Sequence, residues 1–381
     1  MSQTVMPPDP QRDSLRTLSP LSQTRILIAG GGTGGHIIPA LAVARALVER
    51  HGADILFVGT PRGLESRMVP AAGFDLRLIQ VGQLKNVSLL TKLRTAFDLP
   101  AAILACRRIL RDFHPGAVLS VGGYASGPAS AAALALRIPL TAFEPNAMPG
   151  LANRLIGKRV AAAAVNFPAA ARYFRNAEVT GIPVREEFFS IPSPPPDAPP
   201  HLLIFGGSQG ARLFNQTLPR ILPALLDAVP GLTILHQCGA RHLEPTESAY
   251  RATGADPARW QVQPFLDDMP ARFAAAHLVM ARAGASTVAE LAAAGKPSLL
   301  VPFAAAADNH QKRNAEELVK AGAAVMLEES ELADPSALRD ALIVLLREPA
   351  KLAQMSAAAR TQAHPDAAQR IADRLIQLTT T

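Results

Sequence analysis

Cysteine is almost absent from this chain. Its 381 residues contain two, Cys106 and Cys238, which excludes a disulfide framework and any cysteine-based structural zinc site. Aromatic residues make up only 5%, with a single Trp and three Tyr, and the Lys and Arg residues are scattered rather than interleaved with them. No nucleic-acid partner is expected from such a pattern. Long apolar runs are missing too. The richest segments, residues 160–171 and 291–307, are interrupted by Asn, Pro, Gly or Lys and fall short of the about 18 uninterrupted apolar residues of a membrane span. Asp-x-Asp does not occur and the nine histidines show no paired ligand spacing, so no metal is expected to take part in the chemistry. Residues 1–23, rich in Pro, Ser, Asp and Gln, lack the apolar core of a signal peptide and predict a disordered tail ahead of a cytoplasmic domain.

What remains is a globular composition, 49% hydrophobic with a mean hydropathy of +0.15. At about 150 residues per domain the length suits two lobes. The 38 basic against 31 acidic residues leave a net charge of +7, which by itself suits any anionic partner and, with nucleic acid set aside by the scattered basic residues, favours an anionic membrane face or a phosphorylated substrate.

The two halves repeat one grammar. Residues 25–29 form a short apolar run entering Gly30-Gly31-Gly32-Thr33-Gly34-Gly35, with a helical pattern over 39–47 behind it. Residues 202–205 run into Gly206-Gly207-Ser208-Gln209-Gly210, followed by a helical pattern over 211–226. Buried-strand candidates continue at 55–58, 118–121, 140–143 and 161–165, then at 233–236, 278–281, 298–301 and 324–327. Strand, glycine loop and helix in alternation predict an α/β protein with two doubly wound parallel sheets. The prolines of residues 191–200 exclude a helix or central strand there and mark a linker. The expected organisation is therefore a tail at 1–23, a first lobe at 24–190, the linker at 191–200, a second lobe at 201–360 and a terminal segment at 361–381. In that last segment Ile371, Leu375 and Leu378 form one apolar helix face.

Gly30, Gly32 and Gly35 satisfy G-x-G-x-x-G, but the second strand ends Val58-Gly59-Thr60 without the acid that would hold a dinucleotide ribose. His36 and Ile37 occupy the Lys and Ser/Thr positions of a P-loop, which excludes that motif as well. The glycines instead let backbone amides and a helix start face an anion or a sugar closely. His36, at the positive end of the helix dipole, is either a neutral general base or a residue that caps and orients. Gly206, Ser208 and Gly210 also fit G-x-S-x-G, yet the following acid and histidine, Asp308 and His310, lie only two residues apart and suit a hydrolase triad poorly. The competing reading is a diphosphate held by Ser208, Gln209 and Gly210. Thr287 and Glu290 have capping-box spacing, so Glu290 either caps its own helix or accepts hydrogen bonds from both hydroxyls of a ribose. Gln311 follows the strand at 298–301 on the ligand-binding edge of the sheet, where the plain alternative is a solvated residue at a helix start.

Jointly, the runs Gly31 to His36, Gly122-Gly123-Tyr124-Ala125-Ser126-Gly127-Pro128, Gly206 to Ala211 and Gly284 to Glu290 resemble the bacterial family of UDP-N-acetylglucosamine:N-acetylmuramyl-(pentapeptide) pyrophosphoryl-undecaprenol N-acetylglucosamine transferases. The resemblance runs in order from about residue 25 to the last helix. It implies a GT-B fold, two Rossmann-like lobes facing a cleft, with the terminal helix crossing back to the first lobe. It implies inverting transfer of GlcNAc from UDP-GlcNAc to the muramyl hydroxyl of undecaprenyl-linked lipid I, giving lipid II for peptidoglycan, with no cofactor. It further implies a peripheral enzyme on the cytoplasmic face of the plasma membrane, serving cell-wall growth, shape and division. By the same resemblance Arg185, Ser208, Gln209 and Ala285, Ser286, Thr287 and Val288 hold the diphosphate side. Leu266 lies beside uracil, Glu290 on the ribose and Gln311 on the sugar. Thr33, Gly34, Gly35, His36 and Asn146 complete the site from the first lobe, with His36 the first candidate for general base. Family members often read His-Glu-Gln-Asn where this chain has Phe143-Glu144-Pro145-Asn146, and Gln where it has His310, so the sugar contact falls to Gln311. Between residues 84 and 111, Leu84, Val87, Leu89, Leu90, Leu93, Phe97 and Leu99 mingle with Lys85, Lys92, Arg94, Arg107, Arg108 and Arg111, a mixture that suits an anionic membrane surface.

Overall fold

A computed structural model describes residues 24–81, 89–123, 125–195, 198–207 and 209–380, the side chains of 89–97 and 307 excepted. Ser208 and, in the basic-apolar segment, Leu84, Lys85 and Val87 lie outside the described residues, as do the side chains of Leu89, Leu90, Lys92, Leu93, Arg94 and Phe97 and the tail at 1–23.

Among the described residues seven strands build the first sheet: β1 Arg25–Ala29, β2 Asp54–Gly59, β3 Asp75–Leu78, β4 Ala117–Ser120, β5 Leu140–Glu144, β6 Ala162–Val165 and β7 Ala177–Val179. Six build the second: β8 His201–Phe205, β9 Thr233–Gln237, β10 Trp260–Gln263, β11 Leu278–Ala281, β12 Ser298–Leu300 and β13 Ala324–Met326. Every pairing is parallel, in the orders β3-β2-β1-β4-β5-β6-β7 and β10-β9-β8-β11-β12-β13. The central strands are apolar on both faces because helices cover both. Ile26, Ile28, Phe57 and Leu119 face the helices Gly34–His51 and Ala367–Thr379, while Leu27, Leu56, Val58 and Val118 face the opposite layer, where Cys106, Leu110 and Ala129 pack. The second sheet is covered likewise, by Phe214, Leu218 and Leu342 on one face and Phe273, Leu291 and Leu318 on the other.

Strands β3, β7 and β10 carry no signal in the apolar pattern, and each is a partly exposed sheet edge, where one-sided burial removes the need for a continuous apolar run. The first long helix begins at Gly34, five residues before the expected start, and carries Pro39 inside it. Its first turn therefore includes His36.

In both sheets the strand order reverses beside the strand that opens the repeat, β1 next to β4 and β8 next to β11. That reversal parts the loops at the C-terminal strand ends and leaves a crevice there. Residues 191–195 and 198–200, between β7 and β8, carry no helix or strand. The terminal helix Ala367–Thr379 packs on the first sheet, burying Ile371, Ala372 and Leu375, with Arg370 Nη2 donating to Glu178 Oε1 at 2.6 Å.

Candidate active site

The first glycine loop meets the loop after β4 backbone against backbone. Gly31 N–H donates to Gly122 O at 3.1 Å, and a Cβ on Gly30 or Gly123 would overlap the carbonyl of Gly122 or Gly31. With φ of 139° at Gly30 and 85° at Gly123, only glycine fits both the space and the backbone. Beyond this contact the chain turns into the helix Gly34–His51, with Thr33 as N-cap and no side-chain cap bond. The amides of Gly34 and Gly35 have no partner among the described residues and face outward from the helix start.

His36 lies in that first turn with its ring against the Gly122 backbone. Burial holds its pKa below the ordinary histidine value, and His310 from the second lobe adds to this, while the Val121 backbone and Glu65 oppose it. A neutral imidazole at pH 7 follows, which is the form that accepts a proton.

Across the crevice, the helix Ala285–Ala293 is N-capped by Gly284. Thr287 therefore sits at the third helical position and Glu290 at the sixth, which rules out the capping box: Glu290 does not cap its helix. Its carboxylate receives no hydrogen bond from any described residue. Burial raises its pKa to about 7, partly countered by the nearby Arg185 guanidinium. Arg185 lies over the Phe188 ring at 4.9 Å and 3.5 Å from Glu187, with half its side chain exposed. The structure thus brings Arg185 and Glu290 together. It also sets Gly35 against Ser286, whose hydroxyl is buried without a partner among the described residues.

Gln311 opens toward a cavity of about 470 Å³ lined also by Gly206, Gly210, Ala211, Arg282, Phe303 and Glu329. Phe303 N–H donates to Gln311 Oε1 at 3.0 Å, which leaves the Gln311 NH₂ group as its free, donating end. Gln209 is exposed on the tight turn closed by Gly210 N–H to Gly207 O at 2.8 Å.

Three of the expected contact residues are engaged within the protein itself. Leu266 and Val288 are 5% and 1% exposed, with side chains in the second-lobe core, so any ligand contact there falls to their backbone. Asn146 is engaged at both ends, with one N–H and one lone pair left over: Nδ2 donates to Glu144 Oε1 at 3.1 Å and Oδ1 accepts from Asn314 Nδ2 at 3.2 Å. Asn314, wholly buried, also accepts from Ala147 N–H at 2.9 Å and donates to Ala283 O at 3.2 Å, so Asn146 belongs to a latch between the lobes. Glu144 anchors that latch, taking Asn153 and Gly150 as well; burial raises its pKa against these bonds. Arg154 to Asp308, 3.3 Å, is a second link.

Sequence reasoning missed Asn314, Glu65 and Arg282. Arg282 pairs with Glu329 at 2.5 Å, lies between the Phe214 and Phe303 rings and donates to Val301 O, tying the loop that holds Gln311. Its position just past β11 was the available signal. Among the described residues no group of three or more His, Cys, Asp or Glu comes together as a metal site, and no helix is long and apolar enough to cross a membrane.

Two Rossmann-like lobes, with Gly35 of the first set against Ser286 of the second and the part-buried Glu290 carboxylate beside Arg185, have the GT-B architecture of glycosyltransferases. The glycosyltransferase family 28 N-terminal domain matches residues 26–165 and its C-terminal domain matches residues 201–371. A UDP-N-acetylglucosamine--N-acetylmuramyl-(pentapeptide) pyrophosphoryl-undecaprenol N-acetylglucosamine transferase of Anaeromyxobacter dehalogenans (strain 2CP-C) is 47% identical over 93% of both chains. Its counterpart in Nitrosococcus oceani is 44% identical over 93% of this chain and 98% of its own. The crystal structure of Acinetobacter baumannii MurG superposes with a TM-score of 0.78 at 32% identity, covering 93% of this chain and 99% of the other. The chain belongs to this family of N-acetylglucosamine transferases.

Proposed function

We propose that the chain moves GlcNAc from UDP-GlcNAc to the muramyl hydroxyl of undecaprenyl-linked lipid I, with inversion, giving lipid II and UDP for peptidoglycan synthesis. The observation that carries the reading is Glu290: a part-buried carboxylate that caps no helix, unbonded by any described residue and beside Arg185, is an acceptor waiting for hydroxyl donors such as those of a ribose. As the glycosidic bond breaks, negative charge grows on the leaving UDP. Arg185, the turn at residues 207–210 and the first-turn amides of residues 285–287 are the groups that meet it. Gln311, donating from its NH₂ end, suits a sugar hydroxyl oxygen. The neutral His36 takes the proton of the attacking hydroxyl, and Thr33, Gly34 and Gly35 frame the acceptor.

The lobes in this reading are residues 24–190 and 201–360, joined by 191–200, with 361–381 strapped to the first. The protein works peripherally at the cytoplasmic face of the membrane, with the segment 84–111 against anionic headgroups. In its described part Leu99, Leu104, Arg108 and Arg111 are exposed while Ala102, Cys106 and Leu110 are buried, the two faces that a surface helix needs.

The test is release of UDP from UDP-GlcNAc by the purified chain, with and without lipid I. Release that depends on lipid I and forms a disaccharide lipid is the expected result. Donor binding without release identifies a nucleotide-sugar-binding regulator instead, and release driven by another acceptor identifies a different GT-B transferase.

A further inference from the structure

Glu65 opens the helix Glu65–Ala71, is 1% exposed, and belongs to neither glycine motif. Both of its oxygens are occupied. Oε2 accepts the Gly32 amide at 2.6 Å, and Oε1 accepts the Thr60 amide and the Thr60 hydroxyl, each at 2.9 Å. Two of the three partners are backbone donors, which a carboxylate satisfies and a side-chain amide satisfies only in part. Glycines wall the carboxyl in: a Cβ at Gly31, Gly59 or Gly63 would overlap the Glu65 side chain. A buried carboxylate is costly unless fully hydrogen-bonded, so this much supporting structure marks a group with work to do.

A glycine loop at a strand-to-helix turn ordinarily turns its amides to an external anion. Here the Gly32 amide already holds an anion supplied by the chain itself. The amides of Gly34 and Gly35, two and three residues further on, have no partner among the described residues, and Gly35 lies against Ser286 of the second lobe.

We propose that Glu65 is a positioning residue for the transfer reaction: as the internal anion of the first glycine loop it fixes Gly32, and through Gly32 the turn of residues 33–36, so that the Gly34 and Gly35 amides and the His36 ring face the acceptor. This rests on residues 33–36 being the acceptor side of the transferase. The titratable groups that act on His36 are Glu65 from its own lobe and His310 from across the crevice. A negative charge behind the loop favours the protonated ring, so its removal lowers the pH at which His36 titrates.

The experiment uses the full chain with 15N-labelled histidine, and His36→Ala to assign the ring resonance, so that His36 is read without any transfer assay. Glu65→Gln is expected to titrate His36 at lower pH than the parent. It is also expected to lose at least about tenfold in kcat while KM for UDP-GlcNAc, held by the other lobe, stays within about twofold. Both changes are required; if either the titration or kcat stays at the parental value, the proposal falls. Should Glu65→Gln fail to fold, Thr60→Val carries the test, because it removes one donor and keeps the carboxylate. A fall in kcat at unchanged donor KM supports the proposal, and parental kcat overturns it. Parental turnover by His36→Ala would sink the reading of His36 as base, a result separate from the Glu65 outcomes.

Discussion

Glu290 shows what a single carboxylate reveals when its alternative role is removed. Its proton leaves near pH 7 in the folded chain against an ordinary 4.5, so the folded state holds that proton more tightly than the unfolded state does. Stability attributable to this group is therefore full at low pH and lost as pH rises from 4.5 to about 7, by on the order of 3 kcal/mol. Glu290→Gln is expected to melt above the parent at pH 8 and level with it near pH 4.5, while UDP-GlcNAc binds about ten- to a hundredfold more weakly, the loss of charge-assisted hydrogen bonds. Calorimetric melting and titration at both pH values check this; an unchanged Kd would end the ribose assignment. His36→Ala is expected to cut kcat by at least about a hundredfold with donor affinity intact, as measured by single-turnover kinetics. A fall of less than tenfold leaves His36 as an orienting residue. At this scale the sequence was legible where residues share a motif, as in Gly30 to His36. It was silent on Glu65, whose importance comes from Gly32 and Thr60 folding onto it across 33 and 5 residues, and on Asn314, whose partners in the first lobe lie 167 and 168 residues away.

Among the elements, the central strands were readable because burial on both faces demands unbroken apolar runs, as in residues 26–29 and 202–205. Strands β3, β7 and β10 were not, since an edge pairs through its backbone and leaves its side chains free to be polar. The helix His310–Lys320 joins two tasks: Gln311 on its first turn faces the cavity, and Asn314 one turn on holds the first lobe's loop at residues 146–147. Asn314→Ala leaves the Ala147 amide buried without its acceptor and is expected to cost about 1–3 kcal/mol, lowering Tm and raising KM for UDP-GlcNAc together. Thermal melting and steady-state kinetics on the same preparation read both; a lower Tm with unchanged KM would make the residue structural only. For the helix Leu89–Phe113 and the residues before it, replacing Lys85, Lys92 and Arg94 with Glu is expected to weaken binding to anionic vesicles, each cation contributing about 1 kcal/mol. Activity on bilayer-embedded acceptor should fall while a water-soluble analogue is still used. Equal vesicle sedimentation of variant and parent would remove this surface from the membrane.

For the whole molecule, the paired glycine loops and the proline-rich stretch made two lobes legible, but not what holds them together, because the polar latch at Asn314 and apolar contacts such as Phe188 on Phe273 join residues far apart in the chain. The last helix had an apolar face in the sequence, and only the family resemblance implied its place on the first lobe; the structure seats Ile371 and Leu375 in the core of that lobe and pairs Arg370 with Glu178, 192 residues earlier. Removing residues 367–381 exposes Ile28, Ile37 and Leu47 on that side of the sheet and is expected to lower Tm by well over 10 °C or yield insoluble protein, with each lost Ile or Leu worth about 2 kcal/mol. A truncated chain that melts like the parent would refute this. The same seat has a bearing on how the protein is born. Chains emerge from the ribosome N-terminus first, and a domain normally closes as its last residue appears. Here the first lobe waits through the synthesis of the entire second lobe before its own final layer arrives, so it spends that interval with an open apolar flank. A stalled or prematurely terminated nascent chain is thus recognisable as incomplete however well its second lobe has folded.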